Sequence, residues 1–60
     1  MADDALVAYY AKEQVRRLKL QLGNFRECLR TSTIPVRRMW LEARISELRT
    51  ALYDRTGMWY

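Results

Sequence analysis

Apolar residues recur along this 60-residue chain in alternating steps of three and four positions. Such steps keep side chains on one stripe of an α-helix, so the pattern predicts long helices that pack through that stripe. The first run comprises Ala8, Ala11, Val15, Leu18, Leu22, Phe25 and Leu29, and the second run comprises Leu41, Ile45, Leu48 and Leu52. We define the helix-packing seam as Val15, Leu18, Leu22, Phe25, Leu29, Leu41, Ile45, Leu48 and Leu52.

The segment Arg30–Pro35 interrupts the pattern and separates the two helices. Proline does not fit inside a helix but suits its first turn, and Ser32 or Thr33 could cap the helix that follows. Gly57 can take the left-handed conformation that closes a helix. These signals predict a second helix at about residues 35–56.

The first helix is predicted at about residues 4–30, with Asp3 or Asp4 as its N-terminal cap. Gly23 and the residue after it could end a helix, but the seam passes them without a change of phase, so we expect the helix to continue. A short loop makes the two helices antiparallel neighbours. The predicted fold is all-α, a coiled-coil-like hairpin of two antiparallel helices that forms one domain over residues 1–60.

Chain length and composition restrict the class of function. A chain of this size buries only about 60% of the surface that it exposes when unfolded, so small folds usually need disulfides, a metal or association. Cys28 is the only cysteine and histidine is absent, which leaves association. The usual catalytic groups and a glycine-rich phosphate loop are also missing, so we expect no enzymatic activity, no metal and no cofactor. Cys28 itself is expected to pack as a small apolar side chain.

The charge pattern bears on location and partners. The N-terminal residues are acidic, unlike a signal or transit peptide, and no apolar run approaches the roughly 18 residues that cross a bilayer. We therefore expect no membrane span and a soluble protein, intracellular or within an assembled particle. Eleven Lys and Arg against seven Asp and Glu give a net charge of +4, which suits an acidic partner.

Basic residues also follow steps of three and four along the first helix, and we call them the basic stripe: Lys12, Arg16, Lys19, Arg26 and Arg30. Gly23 fills the gap at the same phase, so the stripe extends roughly 27 Å. Arg37 and Arg38 add cations near the start of the second helix, where the helix dipole disfavours them. Two interpretations stay open, a solvated flank of the seam or contact with an anionic partner. Arg38 would either pair with Glu42 or reach out of the hairpin.

Several large apolar residues lie off the seam and exceed what one hairpin can bury. One group comprises Val36, Met39, Trp40 and Ala43, and an aromatic group that could cluster at the open end comprises Tyr9, Tyr10, Tyr53, Trp59 and Tyr60. Such residue types are enriched where proteins meet, and we expect partner docking through Trp40, Met58, Trp59 and Tyr60. Trp59 and Tyr60 should be substantially buried, against the first helix near Tyr9 and Tyr10 or in a neighbouring subunit.

The sequence favours a small structural or adaptor protein that self-associates, or docks by helix packing into a larger assembly such as a virus or phage particle. The alternative is a small basic protein that contacts nucleic acid or an acidic protein surface, for example as an inhibitor of a host enzyme. Salt distinguishes the two, because electrostatic binding weakens steeply as the salt concentration rises and apolar association does not.

Overall fold

The computed structural model describes residues 2–60, with side chains from Asp4 onward. Helix α1 spans Ala2–Thr31 and helix α2 spans Pro35–Thr56, and the two pack as an antiparallel hairpin. The predicted all-α fold is confirmed, and α1 continues unbroken through Gly23. Asp4 lies inside α1 rather than at its N-cap. The side chain of Asp3, which was the other predicted cap, lies outside the described residues.

The seam forms the contact between the helices. Within the described part of the chain the buried hydrophobic residues are four leucines, Leu22, Leu41, Leu48 and Leu52, with exposed fractions of 7% or less. The other seam residues are half-buried beside them: Val15, Leu18, Phe25, Leu29 and Ile45. The interior that these residues enclose is therefore small.

The start of α2 differs from the expected capping arrangement. Pro35 occupies the first turn, and Ile34, in an extended conformation with φ −88° and ψ 117°, is the N-cap residue. No side chain among the described residues caps this end. The buried Oγ of Ser32 has no hydrogen-bond partner among the described residues either. The expected cap at Ser32 or Thr33 is wrong, because Pro35 fixes where the helix starts and leaves Ile34 in the capping position.

Arg38 closes the loop from the side of α2. Its Nη1 donates hydrogen bonds to the main-chain oxygens of Leu29 and Ser32, both at 2.9 Å. These oxygens lie at the C-terminal end of α1, where the helix dipole is negative and carbonyl groups lack partners within the helix. Arg38 thus neither pairs with Glu42 nor reaches out of the hairpin, because its guanidinium satisfies two carbonyl groups at the end of α1.

The end of α2 follows the prediction. Gly57 adopts a left-handed conformation with φ 72° and ψ 10°, and its N–H donates to the main-chain oxygen of Tyr53 at 2.7 Å. This arrangement closes the helix and reverses the chain direction. The last residues therefore return along the hairpin instead of continuing the axis of α2.

The two helices differ in length, so α1 extends beyond the end of α2. Their lengths are about 45 Å and about 33 Å at 1.5 Å per residue. A groove at the open end is lined by Ala11, Lys12, Val15, Arg55 and Thr56, which places the end of α2 beside Ala11. The described residues before this point, 4–10, are all exposed. The molecule is accordingly elongated, with extents of 51 × 16 × 14 Å.

Candidate protein-interaction surface

The apolar residues early in α2 form an exposed stripe, which we call the α2 outer stripe: Val36, Met39, Trp40 and Ala43. At about 100° per residue, Val36, Met39 and Ala43 lie on the side of the helix opposite to the seam, and Trp40 lies at the edge of this stripe that faces α1. Val36 is 76% exposed, Met39 69% and Trp40 55%. The hairpin therefore presents an apolar surface two turns long that its own seam cannot cover.

Contacts within the hairpin hold Trp40 in place without covering it. The Trp40 ring packs edge to face against Phe25, with centroids 5.8 Å apart and an interplanar angle of 70°. The guanidinium of Arg44 lies 5.9 Å from the ring centroid, and Arg44 Nη1 also pairs with Glu47 Oε2 at 2.7 Å. A large aromatic side chain that is both oriented and exposed is characteristic of a docking residue.

The C-terminal tail, residues 58–60, folds back into the groove between the helices. The Tyr60 side chain is half-buried and packs against the cluster formed by Leu22, Leu48 and Leu52. Lys19 Nζ lies 4.5 Å from the centroid of the Tyr60 ring. The main-chain oxygen of Tyr60 accepts hydrogen bonds from two guanidinium groups, at 2.6 Å from Arg26 and at 3.0 Å from Arg49.

The rest of the tail is exposed. The Trp59 ring stacks on Tyr53, with centroids 4.3 Å apart and an angle of 14°, and Arg49 lies 5.4 Å from its centroid. Trp59 nevertheless remains 58% exposed, and Met58 60%. The expected packing of Trp59 against α1 is wrong, because its ring lies on Tyr53 of α2, whereas docking of Met58 and Trp59 to a partner stays a prediction.

The expected single aromatic cluster is also wrong. Tyr9 and Tyr10 pair with each other, with centroids 5.8 Å apart, on the part of α1 that extends beyond α2. The tail turns back at Gly57 and carries Tyr60 towards the middle of the hairpin instead. The reversal of the chain therefore separates two aromatic groups that would have met if the tail had continued along the axis.

Four members of the basic stripe contact groups of the same chain. Arg16 pairs with Glu13 at 2.7 Å, and Arg30 forms a bidentate ion pair with Glu27. Lys19 and Arg26 hold Tyr60. The hydrogen bond from Arg16 lowers the pKa of Glu13, and that from Arg30 lowers the pKa of Glu27. Within residues 4–60, no ion pair involves Lys12 or Arg37.

Three residues have positions or roles that the sequence did not indicate. Cys28 is exposed rather than packed, because it lies one residue, or about 100°, from the seam position Leu29. Arg38 and Arg49 donate to main-chain oxygens in the loop and the tail. The sequence does contain a clue to the role of Arg49, because Arg49 and Tyr53 lie one turn apart just before Gly57, where the chain reverses.

The described residues include neither a metal-binding cluster nor a membrane-spanning helix. No group of three or more His, Cys, Asp or Glu side chains among them is placed to hold a metal ion. None of their helices is long and apolar enough to cross a membrane. Comparison of the chain with family models, with curated proteins and with solved structures gives no match.

Proposed function

We propose that this chain is a non-enzymatic protein-interaction module that self-associates, or docks into a larger assembly, by helix packing. The observation that carries the proposal is the α2 outer stripe, where Val36, Met39 and Trp40 are each more than half exposed on one helix face. Scattered exposed apolar side chains are ordinary, but a contiguous and oriented group of them is typical of an interaction site.

The surface area of the hairpin supports the same proposal. A compact monomer of 7.2 kDa is expected to expose about 4,100 Å², whereas this chain exposes 4995 Å². The radius of gyration is likewise 14.3 Å, against about 10.4 Å for a compact chain of this length. The excess area is close to the roughly 800 Å² that each partner contributes to a standard interface. Association would therefore provide burial that the hairpin lacks.

The electrostatic contacts give less support to a phosphate-binding function. Arg16 and Arg30 already pair with carboxylates of α1, and Lys19 and Arg26 contact Tyr60. A polyanion would have to compete with these contacts for most of the basic stripe. Docking through the α2 outer stripe requires no such exchange.

Sedimentation velocity at low and at high salt tests the proposal. We expect the chain to sediment as an oligomer, or with its partner, at micromolar concentration, and the association to persist at high salt because apolar burial drives it. A duplex DNA fragment and an acidic polypeptide serve as probes for the electrostatic alternative. Binding to either probe that disappears at high salt, with the chain monomeric throughout, would overturn the proposal.

A further inference from the structure

The α2 outer stripe has features that fit a copy of itself. We propose that its partner is the same stripe of a second chain, packed antiparallel about a two-fold axis at right angles to α2. This inference rests on the proposed function and specifies its partner. Such an interface is isologous, so every contact occurs twice and each favourable pair contributes twice to the free energy of association.

Side-chain size is the first argument. Ala43 follows Trp40 by three residues, so the stripe places its smallest side chain next to its largest one. In an antiparallel pair, Trp40 of one copy lies over Ala43 of the other, and the small residue leaves room for the indole at ordinary interhelix distances. Because Phe25 and Arg44 already orient the ring, association would order few additional groups.

Charge is the second argument, and it decides the direction of packing. Arg37 lies one turn before Trp40 at the edge of the stripe, where it also lines the groove at the loop with Cys28 and Thr31, and it has no carboxylate partner among the described residues. Glu47 continues the line of the stripe one turn after Ala43, and Arg44 pairs with its Oε2, whereas its Oε1 has no hydrogen-bond partner among the described residues. A parallel pair would set Arg37 against Arg37 and Glu47 against Glu47. An antiparallel pair sets Arg37 against Glu47 at both ends.

One register satisfies both arguments. The pairing of Trp40 with Ala43 and the pairing of Arg37 with Glu47 require alignments that differ by a single residue, which is within the reach of an arginine side chain. The tail contacts α2 through Arg49 and Tyr53, which lie on a different side of the helix from the stripe. A second copy can therefore approach the stripe without displacing the tail.

Charge reversal in the full chain tests this inference. We expect Arg37→Glu and Glu47→Arg each to raise the concentration needed for dimer formation about tenfold, because each creates two like-charge contacts per dimer. The double variant should return to within about threefold of the original chain, since the pairs form again with their signs exchanged. Arg17→Glu, on the outer face of α1, is the control for the change in net charge.

A second pair of variants tests the apolar part of the surface. Ala43→Glu should abolish dimer formation, whereas Leu20→Glu, which places the same group on an exposed apolar position of α1, should leave it unchanged. Sedimentation equilibrium gives the dissociation constant of the dimer, and circular dichroism at the highest concentration checks that each variant is still helical. Weakening by both single reversals without rescue in the double variant would overturn the antiparallel pairing. Association that every α2 variant leaves unchanged would overturn the inference but keep the proposed function. A monomer at every concentration would overturn the inference, and it would overturn the proposed function as well if the chain bound the duplex DNA or the acidic polypeptide only at low salt.

Discussion

Replacement of Leu52 by alanine is the most direct test of the small core. Leu52 is completely buried, with 0% of its surface exposed, and it lies in one cluster with Leu22 and Leu48. Removal of its side-chain carbons leaves a cavity that the neighbouring residues can fill only in part. We therefore expect Leu52→Ala to be among the most destabilising substitutions of its size in this chain.

The magnitude follows from burial and chain length. Leu-to-Ala changes at fully buried positions cost about 2–5 kcal/mol, and half-buried neighbours such as Val15 and Leu18 can move inward, so we expect about 3 kcal/mol. A chain of this length has a total stability of about 3–9 kcal/mol. The substitution therefore removes a third or more of it. The midpoint of thermal unfolding should fall by roughly 12–24 °C.

Leu20→Ala is the matched control, because Leu20 is also helical but is 58% exposed. It should change the free energy of unfolding by no more than about 0.5 kcal/mol. Thermal and urea unfolding, followed by circular dichroism at one fixed protein concentration, measure both variants. Equal losses at the two positions would refute the assignment of the core.

Four further predictions follow from particular residues. Gly57→Ala should lower the stability by about 1–2 kcal/mol because an L-residue is strained at its positive φ. Gly23→Ala should raise the stability by up to about 1 kcal/mol, since an added Cβ would meet nothing within 4 Å. A shift of the melting temperature in the same direction for Gly57→Ala and Gly23→Ala would contradict these two predictions. Tyr60→Ala should lower the melting temperature and increase the proteolytic cleavage of the tail, and an unchanged cleavage rate would show that Tyr60 does not hold it. Glu13 and Glu27 have pKa values lowered in the folded chain, so their contribution is complete above the ordinary value of 4.5 and is lost as the pH falls through the lowered values. The helicity of a variant with both Glu13→Gln and Glu27→Gln, measured by circular dichroism, should therefore depend less on pH in this acidic range than the helicity of the original chain.

The sequence predicted the elements of the fold because those depend on local rules. The seam follows the helical period, and Pro35 and Gly57 act through their own backbone restrictions. The α2 outer stripe was also visible, because Val36, Met39 and Trp40 follow the same period away from the seam positions. These features require no knowledge of how the two helices are placed against each other.

Long-range placement is what the sequence could not supply. Arg38 acts on Leu29 and Ser32, and this contact exists only once the loop has brought the end of α1 beside α2. The tail is a similar case, because the direction in which Gly57 turns the chain decides that Tyr60 is half-buried and that Trp59 is exposed. Periodicity fixes the face on which a residue lies, but it does not fix the position along the neighbouring helix.

Thermal unfolding over a dilution series, with the mass measured at each concentration by sedimentation equilibrium, tests the central claim most directly. If helix packing between chains supplies the burial that the hairpin lacks, the melting temperature should rise with concentration, and helicity and mass should fall together at low micromolar concentration. The four buried leucines alone would then be insufficient to keep a monomer folded. A fully helical monomer with a melting temperature independent of concentration would contradict the account.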